Sequence, residues 1–507
     1  MIPLPPKKAR LSTYSMVLSV FTLLAYHLPF ARHAAACLEG GFNSVLLVLL
    51  ALVTLLGLNY LLYYLLVYCF RTVGKWIIAF TLVGNAIMLY GVITYDSLVT
   101  DEIMGSIFKS QYSEVSSFFS WGAVLYILLL GVLPSLYAIN RKVDYGSFKR
   151  FLGQVGLSLA AIVAVVLMNV KNFTWIDRNS TELGSLIAPW SYIVNSFRFW
   201  ASERQRNQKE ILLPDVTSVS ETRDICVLMI GESARQDHFS LYGYGKETNP
   251  LTARDSVVAL KADASSTYTL GGVKAILEPV EAKELYEILP NYLQRAGVDV
   301  SWRTSNWGEP PVHTEKYYKN TELKNKYPDL DGEHDGILLA GLKEELLESQ
   351  ADKIFVVIHG YTNHGPAYYS NYPPEFEVFT PACHTVEMSK TTQEELFNAY
   401  DNSVLYTDYL IHSVIEMLRE IPDRRGCVLF VSDHGESLGE NNTYMHGMPY
   451  GIAPKAQIEI PFLVWAPDMQ VKPLEKVGQH HVFHSVLRFF GIESPAFDEE
   501  KCIFAKN

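Results

Sequence analysis

Five apolar stretches in the first third of the chain, near residues 14–31, 44–70, 76–95, 118–139 and 151–170, each approach the length of about 20 residues that a helix needs to cross a bilayer. They explain why 49% of the 507 residues are apolar, which is high for a wholly soluble protein. Charge in the short connections orients the crossings, because cytoplasmic loops keep Lys and Arg. Lys7, Lys8, Arg10, Arg71, Lys75, Arg141, Lys142, Lys149 and Arg150 fall on one side, and only Arg32 and Lys109 on the other. With an odd number of crossings and the amino terminus in the cytoplasm, everything after about residue 170 lies outside it. A cleaved signal ending near Ala34-Ala35-Ala36-Cys37 is the weaker reading, since Arg32 and His33 interrupt the apolar run and cleavage would break the charge parity.

Beyond the membrane region the pattern changes. Apolar runs at 225–230, 354–358, 298–302, 427–431 and 458–465 read as buried strands, with helical stretches such as 392–419 between them, so a mostly parallel sheet is expected. In open sheets of this kind ligands collect at the carboxyl ends of the strands. Three runs end in chemistry-bearing residues: Gly231-Glu232-Ser233, His359-Gly360-Tyr361-Thr362-Asn363-His364, and Ser432-Asp433-His434-Gly435-Glu436. The 298–302 run is followed by Arg303-Thr304-Ser305-Asn306. Glu232, His364, Asp433 and His434 are therefore expected to converge on one sheet edge. Oxygen and nitrogen donors of this kind suit a divalent metal, zinc above all, and a hydroxyl nucleophile beside it would suffice for phosphoryl transfer.

Between the two regions, 171–219 reads as an amphipathic linker at the membrane surface. In its piece 185–200, Trp190, Tyr192, Phe197, Phe199 and Trp200 suit an interfacial helix, or equally one packed on protein. Six cysteines show no metal-type spacing, and free thiols are the expectation. The formal charge of -12 argues against nucleic acid as a partner.

The segment Gly231-Glu232-Ser233-Ala234-Arg235-Gln236-Asp237-His238, with Leu241-Tyr242-Gly243-Tyr244 and Thr248-Asn249-Pro250, resembles the opening motif of the phosphoethanolamine transferases of the alkaline phosphatase and sulfatase superfamily, which include lipid A modifying enzymes of polymyxin resistance. Asn363 to Tyr368, Asn398 to Asn402, Ser432 to Asn441 and His446-Gly447-Met448-Pro449 continue the likeness in order. The resemblance implies a five-helix transmembrane domain (1–170) plus an α/β/α sandwich catalytic domain (220–507) in the periplasm, anchored in the bacterial inner membrane.

It also implies that Glu232, Asp433, His434 and a threonine hold a tightly bound zinc, with Glu436 a further candidate ligand and a second zinc conceivable. The matching threonine, the family's nucleophile, falls on Thr269 of Ser265-Ser266-Thr267-Tyr268-Thr269. His364 and His446 are implied at the phosphoryl group, and Asn306 in the substrate pocket. The outer loop 96–117, with Met104, Gln111 and Glu114, resembles a loop contributing to the lipid site. His480, His481 and His484 read as structural.

Two departures stand out: Gly271-Gly272-Val273-Lys274 replaces the Ser-Pro-Cys that follows the nucleophile in better-known relatives, and of their disulfide cysteines only Cys383 has an equivalent. The expected activity is transfer of phosphoethanolamine from phosphatidylethanolamine to an envelope glycolipid or glycan through phosphoryl-threonine. A phosphoglycerol transferase or phosphodiesterase of the same superfamily is the alternative, since a sulfatase-type Cys or Ser with Pro and Arg is absent around Thr269. An inactive membrane assembly protein is the reading from another class, and the presence of Glu232, Asp433 and His434 argues against it.

Overall fold

The described part of each of the five apolar stretches is mostly helix in the computed structural model, which describes residues 8–36, 42–95, 97–109, 118, 120–168, 180–206, 210–282, 284–386 and 388–506. Leu11–Tyr26 is followed after His27 by Leu28–Ala36, bent away by 55°. Then come Phe42–Tyr95, Trp121–Asn140 and Phe148–Met168. Among the described residues three helices are long and apolar enough to cross a membrane, or four with the bent pair counted as one span. The expected separation of 44–70 from 76–95 is marked by Arg71, whose φ of 52° and ψ of -117° are not helical.

Gly74 shows what the break does. A Cβ on Gly74 would lie 2.2 Å from the Leu66 carbonyl oxygen, whereas eight residues along a straight helix span about 12 Å. The chain doubles back, and only a residue without a side chain fits the approach. Tyr63, Tyr64 and Val67 before the break and Ile78, Leu82 and Ala86 after it share one buried cluster with Tyr14, Leu18 and Tyr26. The aromatics expected to face lipid divide: Trp190 donates to Asn59 (3.3 Å) and Tyr192 to Asn85 (3.0 Å), both on the long helix, while Phe197 and Trp200 of the same helix, Trp190–Arg206, are exposed. Met104 is buried in the helix Asp101–Lys109, while Gln111, Glu114 and Cys37 lie outside the described residues.

The second compact unit, from Phe199 onward together with a short segment beginning at Gly105, is built on an eight-stranded sheet. Its strands are β1 (Asp224–Gly231), β2 (Val258–Asp263), β3 (Asp299–Thr304), β4 (Lys316–Lys319), β5 (Lys353–His359), β6 (Arg425–Ser432), β7 (Glu459–Trp465) and β8 (Val477–Gly478). The order is β8-β2-β7-β6-β1-β5-β3-β4. β6, β1, β5, β3 and β4 are mutually parallel, and β7 alone runs against its neighbours, so the sheet is mixed.

Alternation along β1 feeds two cores. Cys226, Leu228 and Ile230 join the cluster under the helices Thr269–Leu277, Leu289–Arg295 and His481–Phe490. Met229, with Phe430 of β6, meets Thr407 and Leu410 of the long helix Gln393–Arg419. That helix starts where expected, on a capping box in which Thr392 accepts from the Glu395 amide and Glu395 accepts in return. All described cysteines are free.

At the amino-terminal end of the three central strands, buried Asp224 of β1 accepts from Lys353 of β5 (2.5 Å), Arg425 of β6 (2.7 Å) and Thr222 (2.8 Å). Asp224 and Lys353 are register partners, as are Asp224 and Arg425, so one carboxylate ties the pairing of both neighbours. Burial by itself would raise the Asp224 carboxyl, but the hydrogen bonds from Arg425 and Lys353 hold it below the ordinary carboxylate range. Its folded value being depressed, its contribution is present above an unfolded pKa near ~3.9 and is lost as pH falls through the lower folded value. Asp224→Ala strands Lys353 and Arg425 and is expected to cost about 3 kcal/mol at neutral pH. Pulse proteolysis in urea should show that loss shrinking as the medium is acidified.

Candidate metal centre and nucleophile

Because β1, β3, β5 and β6 run the same way, their carboxyl ends emerge along one edge. Glu232 follows β1 directly, Asp433 and His434 follow β6, Asn306 follows β3 by one residue, and the loop after β5 carries His364. All five are buried. His434 Nε2 lies 3.3 Å from a Glu232 oxygen and 3.3 Å from Asp433 Oδ2. The Thr269 hydroxyl stands 3.3 Å from Glu232 Oε2 and 3.4 Å from His434 Nε2. The expected set has therefore come together, drawn from parts of the sequence up to 202 positions apart (434 − 232).

The donors fit a bound cation. Nδ1 of His434 is 2.9 Å from the Gly435 carbonyl oxygen, which can only accept. The proton of the neutral ring therefore sits on Nδ1, and the Nε2 lone pair faces the carboxylates. Asp433 Oδ1 accepts from the amides of Ser233 (3.0 Å) and His434 (2.7 Å), but Asp433 Oδ2 is buried with no hydrogen-bond partner. Two buried carboxylates and an imidazole lone pair thus converge on one point. Burial and the Glu232 charge push Asp433 well up. Burial opposes ionisation of Glu232 too, but His434, His364, His446 and the Asn306 amide hold its carboxyl well below the usual range. Burial and His446 push His434 down to about 4, so it is neutral at pH 7. A dication here would neutralise the like charges and occupy the orphaned oxygen.

The protein fixes these ligands from behind. Glu232 receives Ser233 Oγ (2.8 Å) on one oxygen and Asn306 Nδ2 (2.7 Å) on the other. Asn306 also donates to Gly360 O (2.9 Å), so its amide acts on Glu232 and on the loop after β5. Ser233 sits at φ 55°, a left-handed conformation uncommon for serine. Tyr400 holds this turn, its hydroxyl donating to Ser233 O (2.7 Å) and accepting from Arg235 N (2.8 Å). Gln479 donates to the carbonyls of Ser432 and Asp433 and accepts from Ser265 N, joining the loop after β6 to the loop that leads into Thr269. Asp401 accepts from His238, Tyr244 and Lys246. Ser233, Tyr400 and Gln479 are the functional residues that spacing alone missed, although Ser233 and Tyr400 lie inside quoted motifs.

Thr269 opens the helix Thr269–Leu277, where the positive end of the helix dipole favours an anion. Gly272, one of the departures noted above, explains how the helix gets there: its Cβ would lie 2.1 Å from the Asp433 carbonyl oxygen. Gly271 is similarly pressed on Ser266, whose Oγ would be 2.3 Å away. The paired glycines let the Thr269 helix ride directly on the loop after β6. Thr267 is turned elsewhere, donating to Met448 O (2.6 Å).

His446 packs 4.2 Å from the His434 ring and 5.4 Å from His364, centroid to centroid. With Glu232 and His434 it forms a group able to share one ion, alongside the Asp433 set. Glu436 accepts from Tyr368 (2.6 Å) and pairs with His446 Nδ1 (2.7 Å), so it stands behind His446 and orients it. The histidines read as structural are so placed: His480 meets Glu278 O, His484 meets Pro279 O, and His481 Nδ1 accepts from Gly478 N.

Comparison with known proteins places the whole chain beside one set of relatives. The family model described as phosphoethanolamine transferase EptA/EptB matches residues 55–204, and the sulfatase model matches residues 225–492. Phosphoethanolamine transferase EptA of Helicobacter pylori is 33% identical over 94% of this chain and 92% of its own length. Phosphatidylethanolamine transferase Mcr-1 of Escherichia coli is 29% identical over 78% of this chain and 79% of its own. The solved integral membrane lipooligosaccharide phosphoethanolamine transferase A of Neisseria meningitidis covers 98% of this chain and 99% of its own, with 27% identity and a TM-score of 0.89.

Stripping divalent metal with a chelator should lower the thermal midpoint, and zinc should restore it. At 100 times its dissociation constant zinc adds about 2.7 kcal/mol. Gly272→Ala forces a methyl onto the Asp433 carbonyl. It is expected to cost about 1–3 kcal/mol and to lower zinc content, read by denaturation and metal analysis of the same preparation.

Proposed function

Since the chain belongs to the phosphoethanolamine transferases and is an enzyme of that family, we propose that it moves phosphoethanolamine from phosphatidylethanolamine to lipid A or another envelope glycan by way of phosphoryl-Thr269. The observation that carries this reading is the Thr269 hydroxyl, at a helix start, 3.3 Å from Glu232 and 3.4 Å from His434. Zinc, held by Glu232, Thr269, Asp433 and His434, would supply charge neutralisation and favour the ionised threonine hydroxyl.

The chain's own residues do the rest. Thr269 Oγ forms a bond to phosphorus as the bond from phosphorus to the diacylglycerol oxygen breaks. Thr269 reacts as the ionised hydroxyl, its proton having passed to solvent, and the departing oxygen takes a proton at the face lined by His364 and His446. In the second half an acceptor oxygen attacks phosphorus, the bond to Thr269 Oγ breaks, and ping-pong kinetics result. Asn306 and Glu436 orient the groups that act. Glu114 of the outer loop is assigned to the donor lipid.

Five crossings with the amino terminus in the cytoplasm place the catalytic unit in the periplasm. The reversal at Arg71, which divides the long helix into two spans, supports that count, as does the clustering of Lys and Arg in alternate connections. The relatives' names supply the transferred group, and two of them, Kdo(2)-lipid A phosphoethanolamine 7''-transferases, name a lipid A acceptor.

Intact-mass analysis after incubation with phosphatidylethanolamine should find Thr269 heavier by one phosphoethanolamine. Thr269→Ala should remove the adduct and reduce lipid A modification at least a thousandfold, as loss of a covalent nucleophile does to order of magnitude. A phosphoglycerol mass on Thr269, or full transfer by Thr269→Ala, would overturn the reading.

A further inference from the structure

His364 is gripped in a way that the transferase chemistry alone does not require. The Tyr361 ring stacks on its imidazole, with centroids 4.5 Å apart and planes 17° from parallel, and the Tyr361 hydroxyl is 2.9 Å from His364 Nδ1. This i,i+3 pair is held by its backbone. Buried Asp335 accepts from the amides of Tyr361 (2.6 Å) and Thr362 (2.9 Å) and from the Thr362 hydroxyl (2.6 Å), and His364 O accepts from Asn371 Nδ2 (2.7 Å). Ser305 also donates to Asp335, so the same carboxylate ties down the loop bearing Asn306.

We propose that Tyr361 is a positioning residue that selects the tautomer of His364, donating to Nδ1 so that the Nε2–H is presented to a non-bridging oxygen of the phosphoryl group on its way to Thr269. A phenol is a better donor than acceptor, and a neutral imidazole offers one lone pair, so capping Nδ1 fixes the proton on Nε2. The stack removes ring rotation as an alternative, and the His446 ring packs against the imidazole at 73° to its plane, with centroids 5.4 Å apart. No proton is transferred in this role: a preorganised hydrogen bond strengthens as charge builds on the oxygen. The inference rests on the phosphoryl-transfer reading above.

The test is a double-mutant cycle on the full-length protein in phosphatidylethanolamine–detergent micelles, following diacylglycerol release. Tyr361→Phe keeps the stack and the thermal midpoint but lowers kcat about tenfold with little change in KM, a fraction of the roughly hundredfold cost of losing one preorganised donor. In the His364→Ala background the same change has no further effect, because the hydroxyl acts only through the imidazole. An unchanged kcat in Tyr361→Phe, or an equal drop in both backgrounds, overturns the proposal. Absence of diacylglycerol release by the unaltered protein would instead bring down the underlying transferase reading.

Discussion

Two carboxylates, Glu232 and Asp433, are brought together out of water beside a neutral imidazole, and most of the outer unit can be understood as the means of enforcing that unfavourable arrangement. Left alone, the pair would separate or share a proton, as coupled buried acids do. They stay because each sits at the end of a central strand whose neighbours leave it nowhere to go. Around them Ser233, Asn306 and two backbone amides spend their hydrogen bonds on keeping the oxygens pointed inward. A cation bound there would turn this tension into binding energy, and the same charge balance would favour ionisation of a nearby hydroxyl.

Much of this could be read from the chain before any coordinates. Unbroken apolar runs that lead into Glu232, Asp433 and the loop bearing His364 signal parallel strands ending at a site, because packing alone gives no reason for acids and histidines to cluster there. Other parts were not legible. β2 alternates exposed and buried residues around Lys261, β4 is Lys-Tyr-Tyr-Lys, and β8 has two residues, so none carries the hydrophobic signature of a strand. The reversed direction of β7 is likewise invisible in its composition, since a strand flanked on both sides looks the same whichever way it runs. Gln479 and Tyr400 act through long-range hydrogen bonds, and nothing local to them announces Ser265 or Ser233, partners more than 150 positions away.

The glycines after Thr269 show how a departure from a familiar motif acquires a reason only in three dimensions. On the page, Gly271-Gly272 looks like a weakened helix start, because glycine is a poor helix former. In space it is the condition for the helix to touch the Asp433 backbone, so propensity is given up for proximity. The Arg71 turn makes the same trade within the membrane unit, where Gly74 gives way to a carbonyl so that one apolar helix can become two.

The polar knot at Asp224 lies a full strand length, roughly 26 Å, from the metal edge of the same β1. A one-residue slip of any central strand would invert its inward and outward side chains, and the knot opposes that slip from the far end. The loops bearing chemistry are thereby relieved of the duty of keeping the strands aligned. Lineages of this fold can lengthen, shorten or rewrite those loops to suit new acceptors while the scaffold beneath stays in frame.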